Sequence, residues 1–328
     1  MYDNKAISKL EAVNAKTLLD MDVPPMRYII SELLPVGLHL LAGSPKIGKS
    51  WLALWLCNQI ATGENVWQFE TAGCPTLYLS LEDTMDRLHL RLSTITESGS
   101  EDSWFVTSVE TGSLVEQLEA FIQAHPEVGL IVIDTLAHVR DGNASTYLGD
   151  YEEMQKFKGL AEKHRLALIL VHHLRKASDS DPVNMVSGST GLIGAVDGIY
   201  ILEKDTRADN QAKLHVTGRD IPDMQLKLEF DREDNLWKFT GFESGAALPM
   251  DEKLLAAIEQ ILDSDRFTGT ASELISTMQE IDISIEIQPN RLTRLLRDKA
   301  LTLQKQGIQF SAKRTNSARL LTLERVSG

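Results

Sequence analysis

Continuous apolar runs and helical periodicities take turns along the first 200 residues. The runs "GLHLLAG" (37–43), "PTLYLSLED" (75–83), "WFVTSV" (104–109), "VGLIVIDTL" (128–136) and "LALILVHH" (166–173) have strand length and few polar positions. Runs apolar on successive residues bury both faces of a strand, as in a parallel sheet covered by helices. Between them lie "SWLALWLCNQIATG" (50–63), stopped by Gly63, and "TMDRLHLRLSTI" (84–95), with Met85, Leu88 and Leu92 on one helical face. "SLVEQLEAFIQAH" (113–125) follows, stopped by Pro126, and then a helix over about 150–164. Alternating strands and helices predict an α/β fold with a mostly parallel sheet.

After residue 198 the pattern changes. "GIYILEK", "AKLHVTGRD", "MQLKLEFD" and "LWKFTGF" succeed one another with turns between them, which predicts antiparallel strands appended to the sheet. "ESGAALPMDE" (243–252) reads as a linker. Beyond it come helix-like "EKLLAAIEQIL", "ASELISTMQEI" and "QPNRLTRLLRDKAL", then strand-like "IQF" and "ARLLTLERV" around "SAKRTN". Three helices and a two-stranded wing predict a winged-helix-like domain. The expected organisation is an N-terminal arm (1–23), a large α/β domain (24–245) and a small winged-helix-like domain (250–328). No internal repeat or low-complexity segment interrupts it.

Composition changes this picture in two places. The 328 residues carry a net charge of −14, which argues against a nucleic-acid-coating surface. The charge is uneven, however: from Met250 onward 11 Lys and Arg balance 11 Asp and Glu, and within 287–328 nine cations face Asp298 and Glu324. An acidic body therefore precedes a basic tail. The two cysteines, Cys57 and Cys74, form neither a disulfide framework nor a metal-ligand pattern. No apolar stretch reaches 18 residues and the N-terminus has no signal-peptide core, so a cytoplasmic protein away from membranes is expected.

The first strand runs into "GSPKIGKS" (43–50), which fits G-x-x-x-x-G-K-[ST]. Residue frequencies produce that pattern by chance in about one chain in a hundred of this length. Here it also lies between a strand and a helix, as the chemistry requires. Backbone N–H groups of a glycine-containing turn, together with a helix N-terminus, favour phosphate. Gly43, Ser44, Pro45, Lys46, Ile47, Gly48, Lys49, Ser50 and Trp51 are thus the expected cradle for ATP. Lys49 would reach the β- and γ-phosphates, and the Ser50 hydroxyl would ligate Mg²⁺. Asp134, ending the strand "LIVID", is the expected second Mg²⁺-linked group. Glu82 and Asp83 close the strand "YLSLED"; Glu82 is assigned as the base that activates water, and Asp83 as a helix cap or secondary acid. His172 and His173 end another strand. No ligand cluster accompanies them, and strand alternation sends only one of them toward the nucleotide edge, with His172 favoured.

The ordered series formed by the phosphate loop, "YLSLEDTMDRLHLRL", "LIVIDTL", "LILVHHLRK", "VSGSTGLIGAVDGIYIL" and "HVTGRD" resembles the RepA-like branch of RecA-type ATPases. These are replicative helicases of plasmids and mobile elements, related to the DnaB-type hexameric helicases. The resemblance spans about 24–242 and rests on six motifs in order. It implies a RecA-like P-loop core, a homo-oligomeric ring, usually a hexamer, with ATP sites between subunits, and single-stranded DNA, with a replication initiator or primase, as partners. By the same resemblance the catalytic set is Lys49, Glu82, the histidine pair His172/His173 as γ-phosphate sensor, and Arg219 in "TGRD" as the finger given to the neighbouring subunit. DnaB-type proteins carry a lysine two residues before that arginine; here the position is Thr217.

Loops 138–153 and 175–186 are the expected channel-facing segments, with Arg140, Arg175 and Lys176 as phosphate contacts. In the C-terminal domain Arg291 and Arg294, three apart on a helix, and Lys313 and Arg314 at the wing tip are the expected DNA contacts. Two other readings fit the same motifs: a RecA/RadA-like recombination or repair ATPase, and a KaiC-like regulatory ATPase whose winged helix chooses its DNA.

Overall fold

The structure, a computed structural model, describes residues 12–21, 26–136, 147–175, 182–186, 190–204, 206, 209–243, 251–262, 266–280, 287–314 and 319–325. The chain divides into two compact units, Met26–Pro249 and a smaller one formed by Met250–Gly328 with Met1–Pro25.

In the larger unit a short hairpin, β1 (Tyr28–Ile30) and β2 (Leu34–Pro35), leads into β3 (Gly37–Gly43), α2 (Lys49–Thr62), β4 (Thr76–Ser80) and α3 (Met85–Ile95). Then follow β5 (Ser103–Val106), α4 (Leu114–Ala124), β6 (Leu130–Asp134), α5 (Tyr147–His164), β7 (Ala167–His173), α6 (Thr190–Ala195) and β8 (Gly198–Glu203). Finally β9 (Gln211–Gly218), β10 (Met224–Asp231) and β11 (Leu236–Phe242) run back and forth. All but the hairpin strands join one nine-stranded sheet in the order β11-β10-β9-β8-β3-β7-β6-β4-β5.

From β8 to β5 the strands are parallel; β8 to β11 are antiparallel. The continuous apolar runs follow from this. Along β6, Leu130 and Val132 enter one core, with Leu54, Ile60 and Tyr78, while Ile131 and Ile133 enter the other, with Phe157 and Leu170. The antiparallel extension buries one face only: Ala212, Leu214 and Val216 are buried on β9, and Lys213 and His215 between them are not. Its outer strand, β11, is paired to β10 through a bulge beside Lys227, and Gly241 there takes φ +147°. Within the parallel strands β3 is central, between β7 and β8, and the crevice outside its carboxyl end is where such sheets bind ligands.

In the smaller unit α1 (Ala15–Asp20) is a single short helix capped by Asn14. The C-terminal part runs α7 (Asp251–Ile261), β12 (Arg266–Gly269), α8 (Ala271–Glu280), α9 (Pro289–Asp298), α10 (Ala300–Lys305), β13 (Ile308–Arg314) and β14 (Arg319–Arg325). Its three strands pair antiparallel in the order β12-β14-β13. Ile258, Leu274, Leu292, Leu296, Leu321 and Leu323 form its own core. Thr270 and Glu273 make a reciprocal capping box at the start of α8.

Several expectations are corrected. The run 104–109 is a strand only to Val106. Met85 is not on a buried face of α3; it is 51% exposed, and Leu88 alone is buried there. "QPNRLTRLLRDKAL" is two helices, α9 and α10, broken at Lys299. The strand β12 went unpredicted because "RFTG" offers one apolar side chain, Phe267, and no alternation.

Candidate nucleotide site

The chain leaves β3 at Gly43, turns through residues 44–48 and enters α2 at Lys49. Gly48 caps the helix with φ +106°, a backbone conformation that suits glycine, and a Cβ there would stand 2.9 Å from Nε1 of Trp237. The helix N-terminus leaves backbone N–H groups without partners inside the helix, at the end where its dipole is positive.

Lys49 is 5% exposed. Its ammonium donates to the carbonyls of Gly43 (2.8 Å) and Ser44 (3.0 Å) and lies 3.3 Å from Nδ1 of His173. Burial lowers its pKa to about 8, against the opposing pull of Asp134 and Glu82. Asp134, which ends β6 beside Ser80 of β4, is 4% exposed. Burial raises its carboxyl above the ordinary range, while hydroxyls of Ser50 and Tyr78 bond it and oppose that shift; the Tyr78 bond is 2.7 Å. Glu82 accepts a 2.9 Å bond from the hydroxyl of Thr135, whose peptide with Asp134 is cis.

Asp83 is not the helix cap. Thr84 caps α3, and Asp83 pairs with Arg87 (3.2 Å) and, more closely, with Arg91. Two guanidiniums on successive turns of α3 outcompete a capping role for this carboxylate. Of the histidines, it is His173 and not the favoured His172 whose ring stands against Lys49. Burial first, and then the Lys49 charge, lowers the His173 pKa, so the ring is neutral and its Nδ1 can accept from the ammonium. His172 is buried on the other side of the alternation.

Arg219 follows β9 at the opposite edge of the sheet. Gly218 pairs with Gly198 at the start of β8, and β8 then runs about 17 Å to its carboxyl end. The Arg219 side chain is 60% exposed, 3.6 Å from Asp197 and 3.3 Å from the Gly194 carbonyl. It lies far from the phosphate loop of its own chain. Arg175 is exposed just past β7. Arg140 and Lys176 lie outside the described residues, as do most of loop 138–153 and residues 176–181. Arg291 and Arg294 on α9 and Lys313 on β13 are exposed. Arg314 ends β13, and its side chain lies outside the description.

The donor set suits a hard cation. Among the described residues no group of three His, Cys, Asp or Glu forms a metal cage. One hydroxyl, Ser50, and one carboxylate, Asp134, are what Mg²⁺ uses when phosphate oxygens and water complete its octahedron. No helix among the described residues is long and apolar enough to cross a membrane. Sequence reasoning missed three site residues. Thr135 and Tyr78 had a signal, as the neighbour of Asp134 and as the residue two before Ser80 on the same face of β4. Trp237, nearly 190 positions after Gly48, had none.

A profile of the AAA domain family matches residues 5–179. Among solved structures, one described as an isolated ATPase domain aligns with a TM-score of 0.50 at 16% identity, over 62% of this chain and 84% of that one. A DnaB-like replicative helicase, described with its interactions with primase, aligns with a TM-score of 0.50 at 17% identity, over 64% of this chain. The matched part spans 58% of that helicase's length. The phosphate loop, the acid-tipped strands beside it and the sheet order agree with these matches: the chain belongs to the AAA domain family and has the RecA-like P-loop ATPase fold found in DnaB-like replicative helicases.

Proposed function

We propose that the chain is an ATP-driven motor on nucleic acid, a ring-forming replicative helicase of a plasmid, phage or mobile element. The observation that carries this reading is the convergence of Lys49, Ser50, Glu82, Asp134 and His173 at the carboxyl edge of the sheet. Lys49 exchanges the Gly43 and Ser44 carbonyls for phosphate oxygens. Glu82, oriented by Thr135, takes a proton from the attacking water. His173, touching Lys49 and ending β7, relays the state of the γ-phosphate to Arg175 and the loop beyond. Mg²⁺, when bound through Ser50 and Asp134, neutralises charge on the phosphate oxygens. Arg219, remote from its own phosphate loop, serves the neighbouring subunit's site, which makes the ring the active form. Single-stranded DNA is the proposed track, contacted by Arg175 with Arg140 and Lys176, and a primase or initiator the proposed partner. The order of helices and strands in residues 251–325 supports a winged-helix-like domain whose Arg291, Arg294, Lys313 and Arg314 meet DNA phosphates.

ATP turnover with and without single-stranded DNA tests this for wild type, Lys49→Ala and Glu82→Gln. Wild type should be stimulated by DNA and open a forked duplex. Lys49→Ala should lose nucleotide binding. Glu82→Gln should bind ATP and turn it over about 10²–10⁴-fold more slowly. Equal wild-type rates with and without DNA, with no fork opened, would sink the motor reading.

A further inference from the structure

Trp237 lies on β11, in the antiparallel extension, yet it forms the floor of the phosphate loop. It is 1% exposed, and its indole N–H donates to the Gly48 carbonyl at 3.3 Å. That carbonyl already accepts the first helical bond of α2, from the Leu52 N–H at 3.0 Å. The two donors together fix the orientation of the peptide after Gly48, whose partner atom is the N–H of Lys49. The glycine is pressed against the ring so closely that a Cβ would meet Nε1 at 2.9 Å. Trp237 is in turn held from three sides. Trp67 donates its indole N–H to the Trp237 carbonyl at 2.7 Å, Phe230 packs at 5.0 Å between ring centroids, and the Lys204 ammonium stands 4.9 Å over the ring. Lys204 directly follows β8, the strand beside β3.

We propose that Trp237 is a positioning residue of the phosphate loop: its indole N–H sets the Gly48–Lys49 peptide for nucleotide phosphate, and so sets affinity more than turnover. A structural filler would need the ring but not the N–H, and it would not need to stand against the one loop residue with a positive-φ glycine backbone. The proposal rests on the ATPase reading and adds a determinant of nucleotide affinity from outside every motif the sequence displays.

The test is Trp237→Phe, which keeps an aromatic ring and removes the donor, beside Trp67→Phe, which removes an indole donor from the same wall without touching the loop. Fluorescent-ATP binding, steady-state turnover and melting temperature without nucleotide are measured on the full chain. Trp237→Phe should weaken ATP binding and raise KM about fivefold, the ~1 kcal/mol of a neutral hydrogen bond. Its kcat should stay within twofold of wild type, and Trp67→Phe should bind ATP as wild type does. Unchanged affinity in Trp237→Phe overturns the proposal. So does an equal loss in both variants that tracks a fall in melting temperature, because the wall is then only packing. If Trp237→Phe does not fold, Trp237→His, whose ring N–H can replace the donor, must retain affinity within twofold. A wild-type chain that binds no ATP would overturn the ATPase reading itself, a result distinct from wild type and Trp237→Phe binding equally well.

Discussion

Lys49 holds its charge at a cost, because burial brings its pKa from 10.5 to about 8. Below pH 8 the free protein keeps the ammonium; between about 8 and 10.5 it has lost a proton that an unfolded lysine keeps. Phosphate favours the charged form, so ATP binding above pH 8 takes up a proton and weakens as pH rises. Affinity measured calorimetrically should be level to about pH 8 and then fall by up to about tenfold per unit. Lys49→Arg, charged throughout, should flatten the fall in whatever binding it retains. A wild-type affinity that stays level to about pH 9.5 would contradict the burial account. At this scale the motif residues were legible because each is a residue type forced by phosphate chemistry at a fixed spacing. The supporting residues were not: Thr135 and Tyr78 act through hydroxyls that many environments accept, and Trp237 reaches Gly48 only through the fold. The choice between His172 and His173 turned on which face of β7 meets Lys49, a register that the doublet does not encode.

Among the elements, β3 carries a second consequence of burial. His39, in its middle, bonds the Pro35 carbonyl through Nε2 at 2.8 Å, and its buried Nδ1 has no hydrogen-bond partner. Burial lowers its pKa from 6.5 to about 4. The unfolded chain therefore binds a proton between pH 6.5 and 4 that the folded chain refuses, and stability falls as pH drops through that window. The loss amounts to about 3 kcal/mol. His39→Gln, which can still donate to Pro35 and does not titrate, should lose less stability to urea between about pH 7 and 4.5. Equal losses in the two proteins would remove His39 from the acid response. The parallel strands were the most legible elements because burial on both faces writes a continuous apolar run. The short pieces β1, β2, α6 and β12 were not, since two to six residues cannot display a period. The break at Lys299 was hidden because the leucine spacing continues across it.

At the scale of the whole molecule, the proposed ring makes a prediction that no single chain can meet. Glu82→Gln and Arg219→Ala subunits should each be inactive alone. When mixed, some interfaces regain both Glu82 and Arg219, so turnover should rise to a fraction of wild type at equal ratio. No recovery at any ratio would count against shared sites. The two units, each with its own hydrophobic core, agree with the composition shift near residue 250. The nine-stranded sheet also has two ends, and both are poor templates for another chain. β5 offers four residues, while β11 is bulged, bent at Gly241 and carries the exposed Lys238. Short, kinked and charged margins resist edge-to-edge pairing. A protein at high local concentration with its own copies is thereby protected from fibrillar aggregation, and copies are left to associate through side-chain surfaces.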